Sequence, residues 1–173
     1  MNGGSGDNFN YCSRVNNDGL FWNGSRTRLA EITDGTSHTI LAAEGLFGDR
    51  GEDSTTLLNA QRQMKRVGGG GVCSVSADAL AARAATRFEG SRAGAWIRSA
   101  AYLTLLNGYY PPNSPHPDVA HQGEILAAAR SQHAGGANAA FADGSVRFMP
   151  ESIDQDIWRT LFSRNDGQVT GAF

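Results

Sequence analysis

The chain has 173 residues, 40% of them hydrophobic, with a mean hydropathy of -0.37, which suits one soluble domain with a substantial core. Its formal charge of -2 gives no electrostatic drive toward nucleic acid or an anionic membrane. No run nears the roughly 18 apolar residues that a membrane-spanning helix needs, and the 22 glycines favour a loop-rich fold over a helical bundle.

In chain order, the polar, glycine-rich residues 1–10 predict a flexible arm, and residues 11–173 a single domain that becomes ordered near Tyr11. Leu29 to Ile32 predicts a short helical turn, and Thr39 to Glu44 a strand, led by β-branched residues after the Thr33-Asp-Gly-Thr36 turn. Between Ser54 and Arg66, Leu57, Leu58, Gln61 and Met64 fall at helical spacing, with Ser54 as the cap and Gly68 to Gly71 as the stop. A second helix is expected from Ser76 to Phe88, with Leu80, Ala81, Ala84, Ala85 and Phe88 on one face. Residues 45–93 therefore read as a helical insertion.

Beyond Gly94 the chain turns toward sheet and loop, with Trp96 and Tyr102 packing beside a terminal hairpin. Four prolines make Pro111 to Pro117 an extended surface loop. Ala139-Ala-Phe-Ala and Val146-Arg-Phe-Met flank Asp143-Gly144, a dipeptide that readily adopts the positive φ angles of a tight turn, so this segment predicts a β-hairpin. Asp154 caps a last helix, Gln155 to Phe162, whose Ile157, Trp158 and Leu161 face the core.

The most distinctive signature is His133, ten residues ahead of Asp143-Gly144. With its surroundings it resembles the pseudopilin-like, planctomycete-type DUF1559 family, whose members end in a His-x9-Asp-Gly motif. Asn16 to Phe21, Arg28 to Glu44, Gly94 to Trp96, Tyr102, Leu106, Pro111 to Ser114, Ser152 to Leu161 and Asn165 to Phe173 carry the same resemblance, leaving about residues 45–93 unmatched. The resemblance implies an α+β head with a small twisted antiparallel sheet, flanking helices and long loops. It also implies a place at the periplasmic or cell surface and partners among pseudopilin or secretion-system subunits, of type II secretion or type IV pilus kind. Family members carry a leader and a long apolar anchor helix; neither is present in the sequence as written, so a soluble head is expected. Without an anchor, one sheet face is covered by the inserted helices or else left as an apolar patch or a homodimer contact.

Several side chains are candidates for chemistry. His133 is a candidate base or metal ligand, but tying down the loop before the hairpin is favoured. Asp143 is explained first by its turn role. A more distant resemblance to the major pseudopilins of type II secretion implies calcium near the C-terminus, for which Asp143, Asp154 and Asp156 are the candidate ligands, with helix capping the favoured role of the last two. The EF-hand spacing is absent. The alternative reading is a metal-dependent hydrolase of esters or lactones, with Zn2+ or another divalent metal held among His133, Asp143, His116 and His121. Against it, no His-Glu-x-x-His helix presets the geometry. Gly-x-Ser-x-Gly is also absent, and neighbouring Ser37 and His38 point apart on an extended chain. Arg83, Arg87, Phe88, Arg92, Trp96 and Arg98 form a basic-aromatic run, but Glu89 and the overall charge oppose nucleic-acid binding. Cys12 and Cys73 remain open to either a disulfide or two buried thiols. Lys65 is the one lysine among 15 basic residues, and the arginines suit the pinning of loops to carboxylates.

Overall fold

A computed structural model describes residues 1–6, 17–22, 24–70, 75–95, 97 and 100–168. Cys12, Cys73, Trp96 and Arg98 lie outside them, as does the start expected near Tyr11. The architecture is α+β, with two small sheets and short helices. One sheet has the order β1-β6-β7, built from Ile40–Ala43, Gly136–Phe141 and Val146–Pro150, all antiparallel. The other has the order β3-β2-β4-β5, built from Ala85–Glu89, Met64–Val67, Asp118–His121 and Glu124–Leu126. Its central pair, β2 and β4, runs parallel, whereas the small antiparallel sheet expected with the terminal hairpin is the β1-β6-β7 sheet.

The elements at the two ends of the chain form as the sequence predicts. A 3-10 turn covers Leu29–Glu31, and β1 occupies most of Thr39 to Glu44. In β6 the alternating Ala137, Ala139 and Phe141 face the core, as a half-buried strand requires. The terminal turn is the longer, bulged form: only Gly144 has positive φ, at 88°, and the Phe141 N–H donates to the Ser145 carbonyl at 2.8 Å. The last helix spans Gln155–Thr160. Asp154 caps it by accepting from the Asp156 and Ile157 N–H groups at 2.9 and 3.1 Å.

Of the two helices expected in the insertion, the first does not form and the second is short. Where a helix was expected over Ser54 to Arg66, the Asn59 side chain accepts from the Gln61 N–H. The buried Gln63 side chain accepts from the N–H groups of Leu58 and Asn59, at 2.8 and 3.1 Å. These local bonds close a turn and release Met64 to Val67 into a strand. Leu58, read as part of an apolar face, is 74% exposed. The second expected helix ends at Ala82: α1 covers Ala77–Ala82, capped by Ser76, and β3 follows. Lys65 closes the C-terminal end of α1 by donating to the carbonyls of Ala81 and Arg83 at 2.6 and 2.9 Å. Residues 45–93 thus contribute half of the four-stranded sheet.

The expected arm is also corrected for residues 1–6. Asn2 is fully buried, and its side-chain amide donates to the carbonyls of Ile40 and Phe162 at 2.6 and 3.0 Å. The Leu106 N–H returns to the Met1 carbonyl at 3.0 Å. The main core lies around the three-stranded sheet, where Ile40, Phe141 and Met149 meet Trp158, Leu161 and Phe162, and Tyr102 packs against its margin. A smaller core joins Val67, Val119 and Leu126 of the other sheet to Ala77 and Leu80 of α1. Among the described residues no helix is long and apolar enough to cross a membrane.

Candidate functional site

The His133 loop is built from three segments that are distant in sequence. β1 runs into Glu44, whose N–H donates to the Asn138 carbonyl at 3.0 Å. The Glu44 carboxylate accepts from the Asn138 N–H at 2.8 Å and from its side-chain amide at 3.2 Å. His133 joins the same carboxylate through Nε2 at 3.3 Å, with both side chains partly open to solvent. Partial burial by itself would raise the Glu44 carboxyl. The Asn138 donors and the nearby His133 ring outweigh it and hold the group below its usual value.

The third segment is the proline-rich stretch, which is partly packed under the loop rather than lying wholly on the surface. Asn113, at φ 52°, donates to the Gly136 carbonyl at 3.0 Å and accepts from the Ser131 N–H at 2.8 Å. Ser131 then donates to Gly136 at 2.6 Å and accepts from the His133 N–H at 3.0 Å. Beneath it lies a buried ion network. Asp118 receives Arg130 at 2.7 Å and Arg92 at 3.0 Å, and Arg130 also reaches the carbonyls of Ser114 and His116 at 2.9 and 2.6 Å. Arginine thus pins loops here, as its planar donor fork suits it to do. A shallow cleft of about 470 Å3 opens above, between Glu44, Phe47, Arg62 and His133.

The candidate side chains sit apart. His133 and Asp143 stand at opposite ends of β6, a strand of six residues that spans about 20 Å. Asp143 lies at the exposed hairpin tip, where its carboxylate accepts from the Ser145 N–H and hydroxyl at 2.9 and 2.7 Å, bonds that hold it below its usual value. Its own N–H donates to the Thr36 carbonyl at 3.0 Å, docking the tip on the Thr33 to Thr36 turn. His116 is exposed and stacks on Tyr110 with 5.8 Å between ring centres. His121 is buried, its ring nitrogens 2.9 Å from the Glu124 carboxylate and 3.1 Å from the Gly69 carbonyl.

Asp154 is committed to its helix cap. Asp156 borders a polar cleft of about 350 Å3 with Ser5, Asp18, Arg159 and Asp166. Burial raises the Asp166 carboxyl, and the charges of Asp34 and Asp18 add to that effect against an opposing bond from the Gln168 N–H. Among the described residues no group of three His, Cys, Asp or Glu side chains is placed to hold a metal ion. Ser37 Oγ does approach His38 Nδ1 at 3.2 Å, and among the described residues no third group orients that ring in the manner of a triad.

A family model described as a protein of unknown function (DUF1559) matches residues 1–156. The chain belongs to that family. No curated protein and no solved structure matches it. Segments of DUF1559 resemblance converge in space: Glu44 from Arg28 to Glu44, Asn113 from Pro111 to Ser114 and His133 from the terminal motif meet at one loop. Sequence reasoning singled out His133 and missed Glu44, Asn113 and Ser131. Glu44 and Asn113 carried no signal beyond membership in matched segments and Ser131 lay outside them, because a side chain bound to backbone leaves no spacing signature.

Proposed function

We propose that this DUF1559 chain is the folded head of a pseudopilin-like subunit, working on the outer side of the cytoplasmic membrane by packing against other subunits of a type II secretion or pilus-type assembly. One observation carries this reading: the motif residues are spent on holding the fold. His133 and Glu44 fix the entry to β6, and Asp143 closes the hairpin tip, at the other end of the same strand. A reactive centre needs its groups within hydrogen-bond reach of a shared substrate atom. Calcium belongs to the same proposal as a stabilising ligand, and other oxygen ligands must carry it, because Asp143 lies apart from Asp154 and Asp156.

Photo-crosslinking in cells that produce the protein tests the reading. Capture of subunits carrying the same terminal His-x9-Asp-Gly motif is the expected result. Metal-dependent turnover of an activated ester, abolished by His133→Ala in a chain that still melts cooperatively, would overturn it.

A further inference from the structure

β7 is the outer strand of the three-stranded sheet. Two bonds bracket it and fix its phase: Phe141 N–H to the Ser145 carbonyl and Glu151 N–H to the Gly135 carbonyl, both 2.8 Å. In an antiparallel ladder the residues turned toward the neighbouring strand alternate. Residues 145, 147, 149 and 151 therefore face β6, and the backbone N–H and C=O groups of Val146 and Phe148 point away from the sheet. The same two residues carry side chains on the face opposite the core, 66% and 50% exposed. The Phe148 ring leans over Gly136, where an added Cβ would stand 2.9 Å from its Cζ. Among the described residues, main-chain groups without a strand partner and exposed apolar side chains thus coincide on one short edge.

Proteins commonly blunt such edges with a projecting charge or a proline. The one charge on β7, Arg147, lies over the Phe141 ring at 4.4 Å and does not project from the edge. Pro150 removes a donor only at the far end.

We propose that β7 docks a second copy of this chain, the two β7 strands pairing antiparallel about a two-fold axis at Phe148, so that two three-stranded sheets become one of six strands. The proposal rests on the packing role above and names a surface for it. Three registers place the outward groups in hydrogen-bonded positions. Val146 opposite Phe148 sets the two Arg147 side chains against each other and Asp143 against Glu151, which like-charge repulsion opposes. Val146 opposite itself sets Phe148 against Gly144 and leaves the ring without a cross-strand partner. Phe148 opposite itself gives an aromatic pair and sets Val146 against Pro150, which lacks the N–H that would reach the Val146 carbonyl; Arg147 then faces Met149, with Glu151 on one diagonal and the second copy's Arg147 on the other. The aromatic pair selects the third register, which also avoids the directly opposed like charges of the first. The symmetry is isologous, as a closed dimer requires.

A cysteine at each of two positions in the full chain reads the register directly. Opposed residues of a hydrogen-bonded pair have Cα atoms about 5.5 Å apart, within reach of a disulfide. Under mild oxidant Phe148→Cys forms a covalent dimer beyond the level of the unsubstituted chain, which carries Cys12 and Cys73 and serves as the reference. Val146→Cys, offset by four residues from its own copy, stays at the reference level. Sedimentation of the unsubstituted chain shows a concentration-dependent dimer, weak because so short an edge buries less than the roughly 1,200 Å2 of a standard interface. Phe148→Asp weakens it at least about tenfold. Crosslinking through Val146→Cys, or a chain that stays monomeric to millimolar concentration with neither cysteine variant crosslinking, overturns the proposal. A monomer that still captures other subunits in cells leaves the packing role standing without this edge. A dimer that captures none does the reverse.

Discussion

Glu44 and Asn138 hold each other through three hydrogen bonds, one from the Glu44 N–H to the Asn138 carbonyl and two from Asn138 donors to the Glu44 carboxylate. The pair joins the end of β1 to the middle of β6 and sets the platform on which His133 rests. Glu44→Gln removes one acceptor from the Asn138 N–H and is expected to lower stability by about 1 kcal/mol, small because the site is partly open to water. The carboxyl is held below its ordinary value of 4.5, so its contribution is present above that pH and is lost as pH falls through the lower folded-state value. Urea unfolding of both proteins across pH 3 to 7 should show the difference shrink in acid; a constant gap would show that the carboxylate charge plays no part.

Asp118 gathers two buried guanidinium groups, and its loss removes the carboxylate that both of them face. Asp118→Ala is expected to destabilise the chain by about 3–5 kcal/mol, enough to unfold a domain of ordinary stability. Arg92→Ala removes one of the two cations and should be milder. Denaturant midpoints for the two variants check the order, and a milder Asp118→Ala would remove the network from the account of the fold.

Gly144 supplies the positive φ of the hairpin, with open space where a Cβ would go. Gly144→Ala therefore meets no clash and carries only the backbone penalty, about 1–2 kcal/mol. Gly136→Ala faces Met149 backbone and the Phe148 ring and is expected to be the more damaging of the two. Thermal melts of both variants make the comparison; equal losses would show that β6 and β7 can separate enough to admit a methyl group.

The Asp166 carboxyl is raised by burial and by its acidic neighbours, so its charged form works against the folded state. A raised carboxyl favours folding while protonated, and that advantage is lost as pH climbs through the folded-state value. Asp166→Asn keeps an oxygen for the Gln168 N–H and should raise Tm at pH 7. The gain should fade as pH drops toward 3.8, the ordinary aspartate value. A gain that survives in acid would assign the effect to something other than charge.

The segments Leu29 to Glu44 and Ala139 to Phe162 were readable because their signals are local, unlike residues 1–6, whose burial depends on distant partners. Asp143-Gly144, the β-branched lead of β1 and the Asp154 cap each act within a few residues of themselves. Residues 45–93 were misread because Met64 to Val67 gains its strand geometry from Asp118 to Ala120 and from Arg87 to Glu89, partners that a window of helical periodicity does not see. Ser76 did mark a helix start, but Thr86 and Phe88 answered to β2 instead of to α1. At the candidate site, His133 stood out by its spacing, whereas Glu44 and Asn113 act through main-chain groups that any sequence possesses.

The burial of Asn2 bears on how the chain comes off the ribosome. Its side-chain amide is shared between Ile40 and Phe162, so the opening residues have no complete environment until the last helix has been synthesised. Consolidation is therefore a late and nearly simultaneous event, in which strands separated by a hundred residues must find one another first. A nascent or prematurely terminated chain ending short of Phe162 would hold its first strands together only loosely and would be an early target for quality-control proteases.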